Sequence, residues 1–178
     1  MTVGKTHSGK STFAKILEEH LSNAVVIDQD NHAAFVNTYY RKLLLEGSTN
    51  HLKIGLSKYI LEYAIHQTDL HIILCNANIN KDERIKLLNS FFPKEQFIRI
   101  IVHFNIEKNL LLKRIAESKR STTIFRDSTL TFEQLLAKQQ YKVEPPQLNE
   151  ADYILTIDEN TNQQQAIEDI VDLTNLKI

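Results

Sequence analysis

Gly4-Lys5-Thr6-His7-Ser8-Gly9-Lys10-Ser11-Thr12 lies almost at the start of the chain and matches the pattern G-x-x-x-x-G-K-[ST]. Two of the chain's four glycines fall inside it. Composition alone would produce such a match in roughly one chain per thousand of this length. A glycine-rich turn that opens directly into a helix aims backbone N–H groups and a partial positive charge at one point, which favours a bound anion. A helix is indicated immediately after the loop, because Phe13, Ile16, Leu17, His20 and Leu21 keep the spacing of one helix face. Gly4, Lys5, Thr6, His7, Ser8, Gly9, Lys10, Ser11 and Thr12 are therefore the candidate nucleotide-binding residues. Lys10 is expected to neutralise the β- and γ-phosphates, and Ser11 to offer its hydroxyl to Mg²⁺. Such a loop ordinarily comes after a buried strand, yet only Met1, Thr2 and Val3 precede Gly4. Three residues cover ~10 Å, where a central strand usually has five or six residues. The first strand is thus expected to be unusually brief, or the start to be truncated or misassigned.

Outward from the loop, strands and helices alternate. Ala24 to Ile27, His71 to Cys75, Phe97 to Phe104 and Tyr153 to Ile157 are apolar runs of strand length. Between them, apolar residues recur at helical spacing. Phe35, Tyr39, Tyr40, Leu43 and Leu44 precede a Gly47-Ser48 break, and Leu52, Leu56, Tyr59, Ile60 and Tyr63 lie beyond it. Ile85, Leu88 and Phe92 mark a helix stopped by Pro93; Leu110, Leu111 and Ile115 mark another. Phe132, Leu135 and Leu136 mark a short helix before Pro145-Pro146, and Ala166, Ile167, Ile170 and Val171 a terminal one. The tyrosines at 39, 40, 59 and 63 are read as core. Continuous apolar strands separated by amphipathic helices predict an α/β domain in three layers, a five-stranded parallel sheet with helices on both faces. Residues 1–178 are read as a single such domain, with functional groups at the carboxyl ends of the strands.

Composition narrows the classes. A chain of 178 residues, 42% hydrophobic and 24% charged, suits one domain with a sizeable core and is not that of a disordered protein. No apolar run approaches the ~20 residues that span a bilayer, and the start lacks the apolar core of a secretory signal. Cys75 is the single cysteine, so neither an internal disulfide nor a disulfide-linked partner is expected, and a reducing, cytoplasmic setting is. A net charge of −1 argues against coating nucleic acid by phosphate neutralisation alone. The seven histidines lack metal spacing such as H-E-x-x-H, and Cys75 is read as buried rather than reactive.

Three strand ends carry the candidate chemistry. Asp28 and Asp30 come directly after the second strand, where one or both can face the phosphate loop. A carboxylate at that place can take a proton from an attacking hydroxyl or bind Mg²⁺ through water, and Asp30-Asn31 can instead cap the next helix. The third strand ends in Asn76 with no acidic residue, which weighs against a motor ATPase but not against a small kinase. Arg114, Lys119, Arg120 and Arg126 lie beyond the fourth strand, flanked by Ser118, Ser121, Thr122 and Thr123. That composition suits a lid over 118–131 whose arginines stabilise a moving phosphoryl group, or equally a solvated loop.

On these residues the chain resembles the P-loop kinases of the polynucleotide kinase and zeta-toxin-like group, above all the polynucleotide 5′-hydroxyl kinases. The resemblance covers most of the chain in order and implies an adenylate-kinase-like P-loop NTPase fold. It implies that Asp30 activates the acceptor hydroxyl, and that Lys113-Arg114 and Lys119-Arg120 are the basic pairs of the lid. Asn76-Ala77-Asn78-Ile79-Asn80 followed by Arg84 resembles that group's D-T-N-x-N segment. Asp28-Gln29-Asp30 is similar to the D-x-D of shikimate- and gluconate-type kinases, which implies that Asp28 assists Mg²⁺. Two positions depart: Ala33 replaces the arginine that holds the acceptor's phosphate, and Asn76 replaces an aspartate. Both weaken the case for a nucleic-acid acceptor.

The expectation is an ATP- and Mg²⁺-dependent kinase that moves the γ-phosphoryl group to a hydroxyl of a small molecule, nucleoside or nucleic-acid end. Asp30 is its base; Lys10, Arg120 and Arg126 surround the transferring group; Arg114 joins the loop in nucleotide binding; Ser11 and Asp28 hold the metal. The alternatives are a non-catalytic nucleotide-dependent switch and an NTP hydrolase.

Overall fold

The computed structural model describes residues 1–44, 51–125, 127 and 129–175. Strands and helices alternate from the first residues: β1 (Thr2–Gly4), α1 (Lys10–His20), β2 (Ala24–Asp28), α2 (Gln29–Tyr39) and α3 (His51–Gln67). They continue as β3 (His71–Cys75), α4 (Lys81–Phe91), β4 (Ile100–Phe104), α5 (Lys108–Glu117), α6 (Phe132–Gln140), β5 (Tyr153–Ile157) and α7 (Gln163–Asn175). Single 3-10 turns stand at Arg41–Leu43 and Thr122–Ile124. The Gly47-Ser48 break lies outside the described residues.

Every strand pairing is parallel, but the strands form two sheets rather than one of five. β1, β4 and β5 make a three-stranded sheet with β4 central, and β2 pairs with β3. The ladder is interrupted between β1 and β3, which nonetheless touch. Thr2 Oγ1 lies 3.4 Å from the carbonyls of both Leu74 and Asn76, and Asn78 Nδ2 donates to the Thr2 carbonyl at 2.8 Å. The Gly4 amide donates to the Ala77 carbonyl at 2.9 Å. A three-residue strand has few backbone groups to offer, so the junction rests on this one backbone bond and on the side chains of Thr2 and Asn78.

The strands serve two hydrophobic clusters. Ile73, Cys75, Val102 and Phe104 face Phe13, Leu17, Leu111, Ile115 and Ile167. The alternate residues Leu74 and Ile101 face Val3, Ile27, Leu61, Leu88 and Phe92. Successive strand side chains thus enter opposite cores, and each core is closed by its own helices, as buried parallel strands require.

Three expectations are corrected. Tyr39, Tyr40, Tyr59 and Tyr63 are exposed, Tyr39 by 72%. Ala33 and Val36 on α2, and Ser57, Leu61 and Ala64 on α3, are buried instead. Apolar residues occur all round α3, so spacing alone does not choose its inner face. The fourth strand begins at Ile100 rather than Phe97, because Arg99 turns inward. Its Nε donates to the Phe92 carbonyl at 2.5 Å, just beyond α4, and its Nη2 to the Leu88 carbonyl at 3.2 Å, which also accepts the Phe92 amide at 2.9 Å. The second helix stops at Tyr39, short of Leu43 and Leu44.

Candidate active site

The loop from Gly4 to Thr12 adopts a tight cradle through unusual backbone angles. His7 has φ 58°, Gly9, which caps α1, φ 102°, and Gly4 φ 156°. A Cβ on Gly4 would sit 2.9 Å from Phe104 Cβ and 3.0 Å from Ser8 Oγ, so glycine is required for space as well as for torsion. Gly4→Ala is expected to lose about 1–3 kcal/mol of stability, read as a lowered midpoint in urea unfolding.

Neighbouring helices hold the cradle from outside. The Thr6 amide donates to Gln139 Oε1 at 2.6 Å, and Lys5 Nζ to Gln140 Oε1 at 3.1 Å, both from α6. His7 packs edge-on against Phe132, ring centres 4.6 Å apart, and Arg114 Nη1 donates to its carbonyl at 3.3 Å. Its buried Nε2 has no hydrogen-bond partner among the described residues. Burial pushes the His7 imidazole below its usual range, and the nearby Arg120 and Lys10 cations push it further. The amides of Gly9, Lys10, Ser11 and Thr12 have no acceptor among the described residues, as expected of an anion site at a helix start.

Lys10 folds over this cradle, donating to the Lys5 carbonyl at 2.6 Å and to Ser8 Oγ at 3.1 Å. Burial lowers its ammonium to about 8, against the opposing pull of Cys75, Asp30 and Asp28. Cys75 itself is buried and free, and burial raises its thiol.

The chain turns at the end of β2 directly into α2, and Asp28 and Asp30 both line the same cleft. α2 starts at Gln29, and the cap is Asp28 rather than Asp30-Asn31: its Oδ1 accepts from the Asp30 amide at 2.9 Å. Asp28 Oδ2 accepts from Ser11 Oγ at 2.9 Å. Asp30, one step into the helix, points into the same space, and its Oδ2 accepts from Arg120 Nη2 at 2.5 Å. Arg120 is steadied by the Phe132 ring, 5.4 Å from its guanidinium carbon.

These groups line one cleft of about 1070 Å³. It brings together Lys10, Ser11, Asp28, Asp30, Arg114 and Arg120, along with Thr6, His7, Gly9 and Thr12. Gly4, Lys5 and Ser8 stand behind the loop instead of on its wall, Gly4 and Ser8 buried beneath it. Arg126 lies outside the described residues. Gln139 and Phe132 were not legible as site residues; their one signal is a glutamine in line with the apolar face of α6. Asn76 does not face a metal position but donates to Gln29 Oε1 at 2.8 Å.

Ser11 and Asp28 suit Mg²⁺. Both present hard oxygen donors 2.9 Å apart beside the anion cradle, and Mg²⁺ is commonly held by one or two protein oxygens with phosphate and water completing the shell. Among the described residues no cluster of three or more His, Cys, Asp or Glu side chains offers a site made of protein alone.

No family model matches this chain, and no curated protein matches its sequence. Solved structures do. Chaetomium thermophilum Kti12 in complex with ADP-AlF3 is 14% identical and superposes with a TM-score of 0.66 over 96% of each chain. The chain shares the α/β fold of these solved structures. Mycobacterium tuberculosis APS kinase, bound to AMPPNP and APS, is 16% identical with a TM-score of 0.62, over 97% of this chain and 94% of that one. Shikimate kinase of Bacteroides thetaiotaomicron is 17% identical with a TM-score of 0.57, over 98% and 97%. In this fold the cradle follows β1, Asp28 and Asp30 stand at the end of β2, and Asn76 follows β3. The cleft therefore opens at the carboxyl ends of the strands, where open α/β sheets bind ligands. Among the described residues no helix is long and apolar enough to cross a membrane.

Proposed function

We propose that this chain is an ATP- and Mg²⁺-dependent kinase that transfers the γ-phosphoryl group to a hydroxyl. The observation that carries this reading is the position of Asp30 and Arg120 across one cleft from Lys10 and the free amides of α1. A hydroxyl placed against Asp30 gives its proton to the carboxylate while its oxygen forms the new bond to phosphorus. The bond from phosphorus to the bridging oxygen breaks, and the electron pair leaves on the diphosphate. Lys10 and the loop amides hold the phosphate charge, and Arg120 leaves Asp30 for the transferring group, carried by a lid over 118–131. Arg114 supports the loop, and Arg126 belongs to the same lid. Mg²⁺, held by Ser11 and Asp28, would neutralise charge on the β- and γ-phosphates.

The fold's kinase relatives, shikimate and APS kinase by name, support a small-molecule acceptor as much as the resemblance supports a polynucleotide one, and Ala33 favours the former. A lone buried thiol suits the reducing cytoplasm. The test is a screen of small-molecule, nucleoside and oligonucleotide hydroxyls with labelled ATP. Acceptor-dependent product supports the kinase; acceptor-independent phosphate release means a hydrolase, which the lack of a carboxylate after β3 disfavours.

The Asp30–Arg120 ion pair favours a second reading, a nucleotide-dependent switch. It ties the 118–131 segment to α2 and would open when phosphate captures Arg120. Tight ATP binding, a nucleotide-dependent partner and no product in the screen would select it.

Nucleotide binding carries a pH signature. Lys10 binds phosphate as the ammonium, and burial holds that group at about 8, below its ordinary 10.5. The charged form is therefore disfavoured in the free protein, and the proton is lost as pH rises past 8. Calorimetry without Mg²⁺ is expected to show AMPPNP affinity falling about tenfold between pH 8 and pH 9 or slightly above, since each unit beyond the free pKa costs up to tenfold. Lys10→Arg, which does not titrate there, is expected to flatten the curve. A wild-type profile that is flat to pH 9.5 would take Lys10 off the phosphate.

A further inference from the structure

Lys53, near the start of α3, lines the cleft alongside Asp30, Asn31, Ala34 and Asn37, and the proposed phosphoryl transfer makes no use of it. It is half-buried, and among the described residues no carboxylate lies within ion-pair distance of its ammonium. Lys58, on the same helix, pairs with Glu62 at 3.6 Å, and Arg120 pairs with Asp30. Lys53 is also held in place relative to Asp30. His32 Nδ1 on α2 lies 2.7 Å from Ser57 Oγ on α3, and Ser57 Oγ donates to the Lys53 carbonyl at 2.9 Å. The helix that carries the candidate base is thereby bonded to the backbone that carries Lys53.

Two groups can be distinguished among the cations of the cleft, which also include Lys15 and Arg114. Lys10 and Arg120 bear on each other and on His7, around the phosphate loop. Lys53 bears on His32, whose imidazole burial pushes down, with Asp28 raising it and Lys53 lowering it. Between the groups, α2 presents Ala33 and Ala34 to the cleft, leaving room beside Asp30 for a ligand. A half-buried lysine in a concave site, with no carboxylate paired to it among the described residues, favours an anion. The phosphate tail of a nucleotide is already provided for at the loop.

We infer that Lys53 binds an anionic group, a carboxylate or a phosphate, on the hydroxyl-bearing acceptor, and so selects small anionic acceptors. That the ligand is an acceptor rests on the kinase reading; that the site takes an anion does not. The test is calorimetric titration of inorganic phosphate into the full chain saturated with AMPPNP and Mg²⁺. With the loop occupied, phosphate is expected to bind at one further site. Lys53→Ala should weaken it about 10-fold to 100-fold, the range for losing a charged hydrogen bond. Lys53→Arg should restore it, and Lys58→Ala should leave it unchanged. Glycerate and glycerol 1-phosphate, titrated next, identify which anion is preferred, with glycerol as the uncharged control. Absence of any anion binding with the loop occupied, or equal binding by Lys53→Ala, overturns the inference. Failure of AMPPNP to bind overturns the kinase reading instead. The phosphate titration, run then without nucleotide and compared between wild type and Lys53→Ala, still decides the anion site.

Discussion

Asp30→Asn is expected to slow phosphoryl transfer by about 10²–10⁴, the usual contribution of a general base, while AMPPNP affinity stays within a few-fold of wild type. Asparagine keeps the size of the side chain, and its carbonyl oxygen can still accept from Arg120, whose guanidinium meets Asp30 Oδ2 at 2.5 Å. The attachment of the 118–131 segment to α2 therefore survives, and the lost capacity is that of taking a proton. Asp28 is the informative contrast. Its two oxygens are engaged by Ser11 Oγ and by the Asp30 amide, so Asp28→Asn should disturb Mg²⁺ dependence and the start of α2 together. The measurement is kcat with the best acceptor of the screen, beside calorimetry with AMPPNP. An unchanged kcat in Asp30→Asn would remove Asp30 from the reaction and leave the proton of the acceptor to another group.

What could be read in the sequence depends on how local each feature is. The phosphate cradle was legible because its geometry is set within nine consecutive residues by glycines at 4 and 9 and the helix that begins at Lys10. The aspartates after β2 were legible by type and place but not by role: which one caps α2 depends on where the helix starts, a matter of one residue. Phe132 and Gln139 come from α6, more than a hundred residues from the loop they hold, and nothing local marks them. The tyrosines at 39, 40, 59 and 63 kept helical spacing yet face outward, since periodicity shows that a helix has faces and tertiary contact decides which is covered. The split of the sheet was invisible for a similar reason. It depends on Thr2 and Asn78 placing side-chain bonds between two strands separated by some seventy residues.

The buried ion pair of the fold's described residues was likewise legible only by half. Resemblance marks Arg84, but nothing in the sequence marks its partner: Glu150 meets it with Nε to Oε2 at 2.8 Å and Nη2 to Oε1 at 2.9 Å, both side chains at 0% exposure. Glu150→Ala would leave a buried guanidinium without its counter-ion, and breaking such a pair typically costs about 3–5 kcal/mol. For a chain of this length that is a fall of roughly 6–20 °C in Tm, readable by thermal unfolding. Arg84→Met with Glu150→Leu should recover much of the loss, because removing both charges strands neither; a double variant no better than Glu150→Ala would refute the electrostatic account. The pair also sets a pH dependence. Burial raises the Glu150 carboxyl, but the Arg84 hydrogen bond, the Gln147 amide and the charges of Arg84 and Lys81 together hold the group below its ordinary 4.5. Its contribution is thus present above that value and is lost as pH falls through the lowered one, so wild type should weaken in acid more steeply than Glu150→Gln. The loss should also reach the cleft. Arg84 Nη1 donates to the Asn78 carbonyl at 3.0 Å, Asn78 Nδ2 donates to Thr2, and Ala77 accepts from the Gly4 amide. This chain of bonds runs from the buried pair to the first glycine of the phosphate cradle. Glu150→Ala protein that is still folded at low temperature is therefore expected to bind AMPPNP more weakly, although neither residue of the pair lines the cleft.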